Sequence, residues 1–285
     1  MKVLVLDCNY ICHAVFHSMP PLFTSQQYTQ VIFGFIKKLI AYSQQFPSND
    51  IVFAWDSKYS IRKEIYPEYK KQRADKLKDA TEAELKVKKI AYDQFDDLRE
   101  SILPDLGFVN VFMQDGYEAD DIMASVTKCN PDCEFIVIST DQDMFQIISD
   151  SCRLYNPTTK VLRTVESFQA DWGCHPCLWG EAKSISGCST DNVKGVSGVA
   201  EGTAIKYLLG QLSIKSKKFN DIAASKSIIT ENRELIKLPM YLTNHFVLNG
   251  GNTLSRQKFV KFCEKYDFKS LLSKTNLDKW DRVII

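Results

Sequence analysis

The 285-residue chain has no run approaching the roughly 18 consecutive apolar residues of a membrane span. Its opening, MKVLVLD, fails as a secretory leader, because its single Lys is followed by only four apolar residues before Asp7. A buried first strand is the better reading of that segment, and neither membrane association nor export is expected. Cysteine is odd in number, nine residues scattered from Cys8 to Cys263. Without an export signal this argues for reduced thiols in a cytosolic compartment, not for a disulfide framework. Glycine is scarce, twelve in all, and no G-x-G-x-x-G follows the first strand, so a dinucleotide fold is not supported. No internal repeat or low-complexity tract interrupts the chain. What is there is a globular composition, 45% hydrophobic and 25% charged, long enough for one large domain or two unequal ones around a sizeable core.

The 36 Lys+Arg and 35 Asp+Glu nearly cancel, but they are segregated along the chain. Between Lys58 and Lys89 stand eleven bases and six acids, between Asp115 and Asp150 nine acids and one base, and between Lys215 and Lys237 six bases and three acids. Two readings stay open from charge alone. These are solvated helix faces, or an acidic centre holds divalent cations beside a polyanion that the basic segments grip.

Residues 1–160 alternate apolar, β-branched runs with helical patterns. The runs 2–7, 51–56, 108–113 and 134–139 predict strands, while 28–46 and 81–103 carry apolar residues at helical spacing. Strands buried on both faces and separated by helices indicate an α/β fold with a mostly parallel twisted sheet flanked by helices. After about residue 160 the strand signal fades into short helical patterns at 167–172, 178–185, 203–209 and 254–272, predicting a smaller helical part over 161–285.

Ligands of open parallel sheets bind at the carboxyl ends of the strands. Asp7 closes the first predicted strand and Asp56 the second, Glu118, Asp120 and Asp121 follow the third, and Asp141 and Asp143 follow the fourth. A single such acid is ordinarily a helix cap; acids after four successive strands are harder to explain that way. Converging carboxylates repel unless a cation neutralises them, and oxygen-only ligation points to Mg²⁺ or Mn²⁺. Two acidic groups suggest two ions, which at about 3.5–4 Å apart would clamp a phosphodiester. Four glycines fall within Gly187–Gly202; this is either a loop whose backbone N–H groups approach phosphate or a plain connector between helices.

Several motifs in order resemble the 5′-3′ exonuclease/flap endonuclease family, which includes phage 5′-exonucleases and the 5′-nuclease domain of bacterial DNA polymerase I. They are Asp7-Cys8-Asn9 with Phe16-His17-Ser18-Met19-Pro20-Pro21, Tyr66-Pro67-Glu68-Tyr69-Lys70, Glu118-Ala119-Asp120-Asp121, Ser139-Thr140-Asp141-Gln142-Asp143, and Thr190-Asp191-Asn192-Val193-Lys194-Gly195-Val196-Ser197-Gly198-Val199. The resemblance spans about residues 1–210. It implies a PIN-like fold and a nuclease that cuts DNA at 5′ ends and single-strand/duplex junctions with two Mg²⁺ ions, Mn²⁺ substituting. It implies that Asp7, Asp56, Glu118, Asp120 and Asp121 form a first metal cluster and Asp141, Asp143 and Asp191 a second. It further implies that Lys70 and Arg62 reach the scissile phosphate from a helical arch over about 57–97, with Asp141 counted among the catalytic residues. DNA contacts are expected at Lys71, Arg73, Tyr69, Lys194, Gly195 and Gly198, the last three in a helix-hairpin element over about 178–210. Tyr69 or Tyr66 would stack on an unpaired base or pack locally.

Two departures stand out. Cys188 occupies a position where the family usually has Asp, and Gly198-Val199-Ala200-Glu201-Gly202-Thr203 replaces a Gly-Ile-Gly followed by Lys-Thr. Both are expected to weaken the second ion or the duplex grip, since a neutral thiol is a poor Mg²⁺ ligand. They motivate a non-catalytic DNA-binding relative as one alternative; a ribonuclease on the same acidic fold is the other. Cys174-His175-Pro176-Cys177, with Cys188 as a further donor, has a zinc-like spacing but no second C-x-x-C. His13 and His17 read as packing or phosphate approach, and Trp55 as core. A monomer is expected, with any replication or repair protein acting in trans because no polymerase segment follows Ile285.

Overall fold

The computed structural model describes residues 1–24 and 27–284, leaving aside the side chains at 74, 76 and 77. Its first half runs β1 (Lys2–Asp7), α1 (Cys8–Ser18), α2 (Gln30–Gln45), β2 (Asp50–Ala54), α3 (Ile61–Ile65), α4 (Lys71–Lys78), α5 (Glu82–Asp97), α6 (Leu103–Leu106), β3 (Val111–Phe112), α7 (Ala119–Cys129), β4 (Glu134–Ile138), β5 (Cys152–Asn156) and β6 (Val161–Arg163). The remainder is α8 (Val165–Trp172), α9 (Trp179–Ser186), β7 (Gly187–Cys188), β8 (Val193–Lys194), α10 (Glu201–Leu208), α11 (Lys217–Ala224), α12 (Lys226–Ile236), α13 (Arg256–Lys265) and α14 (Lys274–Trp280).

The six-stranded sheet has the order β3-β2-β1-β4-β5-β6, parallel except for the β5–β6 pair. Strand β1 lies at its centre, with Asp7 opposite Ala54 of β2 and Leu6 opposite Ile138 of β4. Because successive side chains point to opposite faces, Leu4 and Leu6 pack with Phe35, Phe53 and Phe95, while Val3 and Val5 pack with Ile122, Val137 and Trp179. The chain runs to one side of β1 through α1, α2 and β2, and β4 lies on the other. Strand order therefore reverses at the β1/β4 edge, where α/β sheets place their ligands.

Local signals fix the helix ends. Helix α5 opens on a capping box, in which the Glu84 N–H donates to Thr81 Oγ1 and the Thr81 N–H donates to Glu84 Oε2. It continues through a π-helical turn at Leu98–Ile102 into α6, which ends at Gly107 with φ 105°. A Cβ at Gly107 would lie 2.5 Å from the Thr253 carbonyl carbon, so only glycine lets the extended segment 239–253 cross there. That segment is tied to the sheet side by side chains: Asn110 donates to the Asn249 carbonyl, Ser125 to Asn244 and Asn130 to Phe246.

Two features differ from the sequence reading. Strands β5 and β6 and helices α11 and α12 lie outside the predicted elements, and α1 occupies the stretch read only as a motif. The part after residue 160 shares its cores with the sheet: Phe168, Trp179 and Ile185 join one face, and Phe259, Phe262 and Trp280 the other. The Phe259 and Trp280 rings stack at 4.1 Å with 7° between planes, a pair worth about 0.5–1.5 kcal/mol beyond its area. The last helices thereby seal the sheet's α2 face. No helix among the described residues is long and apolar enough to cross a membrane.

Candidate metal centre

At the carboxyl edge each acid is held by a backbone feature. Asp7 is the N-cap of α1, its Oδ1 accepting from the Tyr10 N–H at 3.0 Å and its Oδ2 from Ser139 Oγ at 3.0 Å. Asp56 Oδ1 accepts from the Ala119 N–H at the start of α7, at 2.7 Å, while the Asp56 N–H donates to Asn9 Oδ1. Asp141 accepts from the Asp143 N–H at 2.7 Å. The cap reading of these acids is therefore correct as far as it goes, and capping fixes where the remaining lone pairs point.

Electrostatics distinguishes this group from ordinary caps. Burial, then the neighbouring Asp56 charge, lifts the Asp7 carboxyl to about 7. Burial followed by Asp141, Asp7 and Glu118 pushes Asp120 well above the carboxylate range, and burial followed by Glu118 raises Asp56. Carboxyls that raise one another are short of positive charge. The three raised carboxyls of Asp7, Asp56 and Asp120, with Glu118 beside them, fit a hard divalent cation with no nitrogen or sulfur ligand.

Glu118 is the exception, because part of the missing charge is already on it. Lys70 Nζ lies 2.8 Å from Glu118 Oε2, which also accepts from the Tyr69 hydroxyl at 2.9 Å. Burial pushes the Glu118 carboxyl up, but Lys70 and Arg62 outweigh it and the net shift is downward. Lys70 has φ 51°, and its N–H donates to the Asp191 carbonyl, so the turn before α4 is anchored to the glycine-rich loop. Arg73 on α4 reaches Asp191 Oδ1 at 3.2 Å. Two clefts of about 480 and 650 Å³ meet at Arg73; Asp56, Glu118 and Lys70 line the first, and Asp7, Asp141 and Asp143 the second.

Three expected roles are corrected. Asp121 is 0% exposed, and both of its oxygens are saturated. Oδ1 accepts from Arg62 Nη2 and the Met240 N–H, and Oδ2 from Arg62 Nη1 and the Glu118 N–H, at 2.6–3.2 Å. It has no lone pair directed at the cleft and is not a metal ligand here. Arg62, 2% exposed, spends its remaining Nε–H on the Leu235 carbonyl at 2.7 Å; it ties α3, α7 and α12 together and does not reach a phosphate. Tyr69 is 3% exposed, with its hydroxyl shared between Glu118 and Asp191. Its ring is unavailable to a base, so of the two readings offered for it, packing is the one observed.

The second acidic group is built differently. Asp143, Cys188 and Asp191 bring one donor atom each to within 4.8 Å of one another, whereas Asp141 faces Asp120 and Asp7 as well as Asp143. Burial, then Asp143, raises the Cys188 thiol, so it stands as the neutral form. The donor set does not fit Mg²⁺, which demands oxygen. Lys183, absent from the sequence reading, lies buried with Nζ 3.3 Å from Asp143 Oδ1 and 3.7 Å from Glu201. Its place between Trp179, Ala182 and Ile185 in a helical pattern was the available signal, since a charge on a buried face needs a partner.

The glycine-rich loop forms a two-stranded turn between α9 and α10. A Cβ at Gly195 would fall 2.1 Å from the Ser186 carbonyl carbon, and one at Gly187 2.3 Å from the Gly195 nitrogen; these glycines are demanded by backbone packing. Lys194 and Lys71 are exposed, Lys71 beside Glu68. Gly198 has φ 66°, and Lys218 from α11 donates to the adjacent Ser197 carbonyl at 3.3 Å. An ammonium thus stands by the loop although its own sequence lost a base. His13 is packed against His17, Tyr92 and Phe95, Trp55 is buried against Phe35, and His175 Nδ1 accepts from the Cys177 N–H.

Comparison with known proteins gives the family and the fold. Residues 2–173 match the model of the 5′-3′ exonuclease N-terminal, resolvase-like domain. A 5′-3′ exonuclease of Aquifex aeolicus is 30% identical over 73% of this chain and 69% of its own. The thermostable DNA polymerase I of Thermus thermophilus is 26% identical over 97% of this chain, which spans only 33% of that protein. The D15 flap endonuclease of bacteriophage T5, solved as a pseudo-enzyme–product complex with DNA and metal ions, superposes with a TM-score of 0.70 at 19% identity, covering 99% of this chain and all of its own. At that identity the likeness speaks to fold.

Proposed function

Because the chain belongs to the 5′-3′ exonuclease family, we propose that it is a structure-specific 5′ nuclease, hydrolysing DNA phosphodiesters near 5′ ends and 5′-flap junctions with Mg²⁺, or Mn²⁺ in its place. The observation that carries this reading is the mutual electrostatic coupling of Asp7, Asp56, Glu118 and Asp120, with raised Asp carboxyls, beside Lys70 and Arg73. Those four residues would hold the cation, which supplies Lewis acidity at a phosphodiester oxygen and toward water.

The reaction adds water across one P–O bond. A bond from water oxygen to phosphorus forms and the bond to the 3′ oxygen breaks, leaving a 5′-phosphate and a 3′-hydroxyl. Lys70 would serve this, since its ammonium, which neutralises Glu118, would be free to turn to a non-bridging phosphate oxygen if a bound cation took over Glu118. Arg73, which reaches Asp191, adds positive charge to the same cleft. Tyr69 keeps Glu118 and Asp191 in register from below. Lys194 and Lys218 beside the glycine-rich loop grip duplex phosphates, a contact that positions without reading sequence.

Cys188 and the Lys183–Asp143 pair favour a second reading, a DNA-binding relative with feeble cleavage. Incubating labelled 5′-flap DNA with the protein in Mg²⁺, Mn²⁺ or EDTA decides between them. The nuclease reading requires metal-dependent release of 5′-phosphorylated fragments; retention of DNA without cleavage in every metal supports the second.

A further inference from the structure

Cys188 is not isolated in the core. It faces two carboxylates, and the three donors form the one such triad found among the described residues. Its sulfur is 3.6 Å from Asp143 Oδ2 and 3.0 Å from the Thr190 hydroxyl, on a side chain 3% exposed. Asp143 Oδ1 is shut away from solvent and accepts no hydrogen bond; Lys183 Nζ sits 3.3 Å away as an ion partner outside hydrogen-bond geometry.

The spacing is compatible with a thiophilic ion. With Zn–S of about 2.3 Å and Zn–O of about 2.0–2.2 Å, a tetrahedral centre separates its sulfur and oxygen ligands by about 3.5 Å, close to the 3.6 Å across which the Cys188 thiol donates to Asp143 Oδ2. Mixed sulfur and carboxylate donors select borderline-soft ions, whereas Mg²⁺ asks for oxygen in octahedral array and retains several waters. Three protein donors leave a fourth position open.

We propose that Asp143, Cys188 and Asp191 form a binding site for a thiophilic divalent ion such as Zn²⁺, which Mg²⁺ does not fill. In the nuclease reading this is the place of the second ion, and to that extent its functional meaning rests on that reading. The binding of the ion does not.

The test is titration of the full chain with Co²⁺ under a non-chelating phosphine reductant, following the thiolate-to-cobalt charge-transfer band in the near ultraviolet. One thiolate-bound ion per chain is expected, with affinity reduced at least about tenfold and the band lost in Cys188→Ser, a near-isosteric change whose fold is verified by circular dichroism. Excess Mg²⁺ should leave the band in place. A paired Cys174→Ser/Cys177→Ser variant should keep it. No band in the natural chain, a band that survives Cys188→Ser, displacement of the ion by excess Mg²⁺, or a band that disappears with the Cys174/Cys177 pair would each overturn the proposal. Flap cleavage in Mg²⁺ is scored separately: cleavage without the band sinks this inference alone, and the band without cleavage sinks the nuclease reading alone.

Discussion

The sharpest consequence of the site geometry concerns Arg62, a residue that the family resemblance assigns to the phosphate and the structure assigns to the scaffold. Its guanidinium makes two bonds to Asp121, at 2.6 and 2.8 Å, and a third to the Leu235 carbonyl, all within a region closed to water. Burial opposes its charge, but the Asp121 pair and Glu118 reverse that, and its pKa moves upward. Arg62→Ala leaves Asp121 buried without its counter-ion, a loss of about 3–5 kcal/mol. At about 2.1 cal/mol/K of unfolding entropy per residue, a chain of this length should lose about 5–8 °C of Tm. Arg62→Lys should recover little, since an ammonium cannot reproduce the fork. The pair replaced together, Arg62→Leu with Asp121→Leu, should be more stable than either single variant, because no charge is stranded. Calorimetry on the metal-free chain, with DNA affinity measured in parallel, separates the two roles. An unchanged Tm with a shallower salt dependence of DNA binding would refute the scaffold assignment and return Arg62 to the phosphate.

Further outcomes follow from the same geometry. In metal-free protein Asp7 carries a carboxyl raised from 3.8 to about 7, so the folded state binds the extra proton. Its contribution is complete below about 3.8 and is lost as pH rises through about 7; Tm in EDTA should fall between pH 5 and 8, with Mg²⁺ restoring most at the upper end, and a flat profile would contradict this. Lys218→Ala should weaken duplex binding and reduce the salt slope by about 1 without changing cleavage at saturating DNA, as filter binding across salt concentrations would register. Burial and then His17 lower His13 to about 4, so its ring resonances should stay at their neutral positions down to about pH 5 in an NMR titration; an inflection near 6.5 would show the ring to be solvated.

Much of this was legible in the chain because hydrophobic runs report burial on both faces. KVLVLD and EFIVI admit few readings other than central strands, and acids immediately beyond them must fall on one edge. Strand β5 escaped because Arg153 and Asn156 dilute its run, and β6 because three residues carry no period. Asp121 was misassigned because its place after the third strand and in the motif fixes only its nearness to the carboxyl edge; whether it meets the cleft or an arginine depends on α3 and α12, which are distant in sequence. The same long-range packing hid Lys183 and placed Lys218 beside a loop twenty residues away. Tyr69 could not be resolved from a motif in which stacking and packing use the same ring.

The central claim is that the Asp7, Asp56, Glu118 and Asp120 carboxylates hold the cation that cuts DNA. Single-turnover cleavage of a labelled 5′-flap DNA by the natural chain and by Asp120→Asn, at saturating protein in Mg²⁺, tests it most directly. The account predicts metal-dependent cleavage that falls at least about a hundredfold in Asp120→Asn, the scale of losing one electrostatic transition-state contact, with DNA affinity preserved. Equal rates for the two proteins would contradict it.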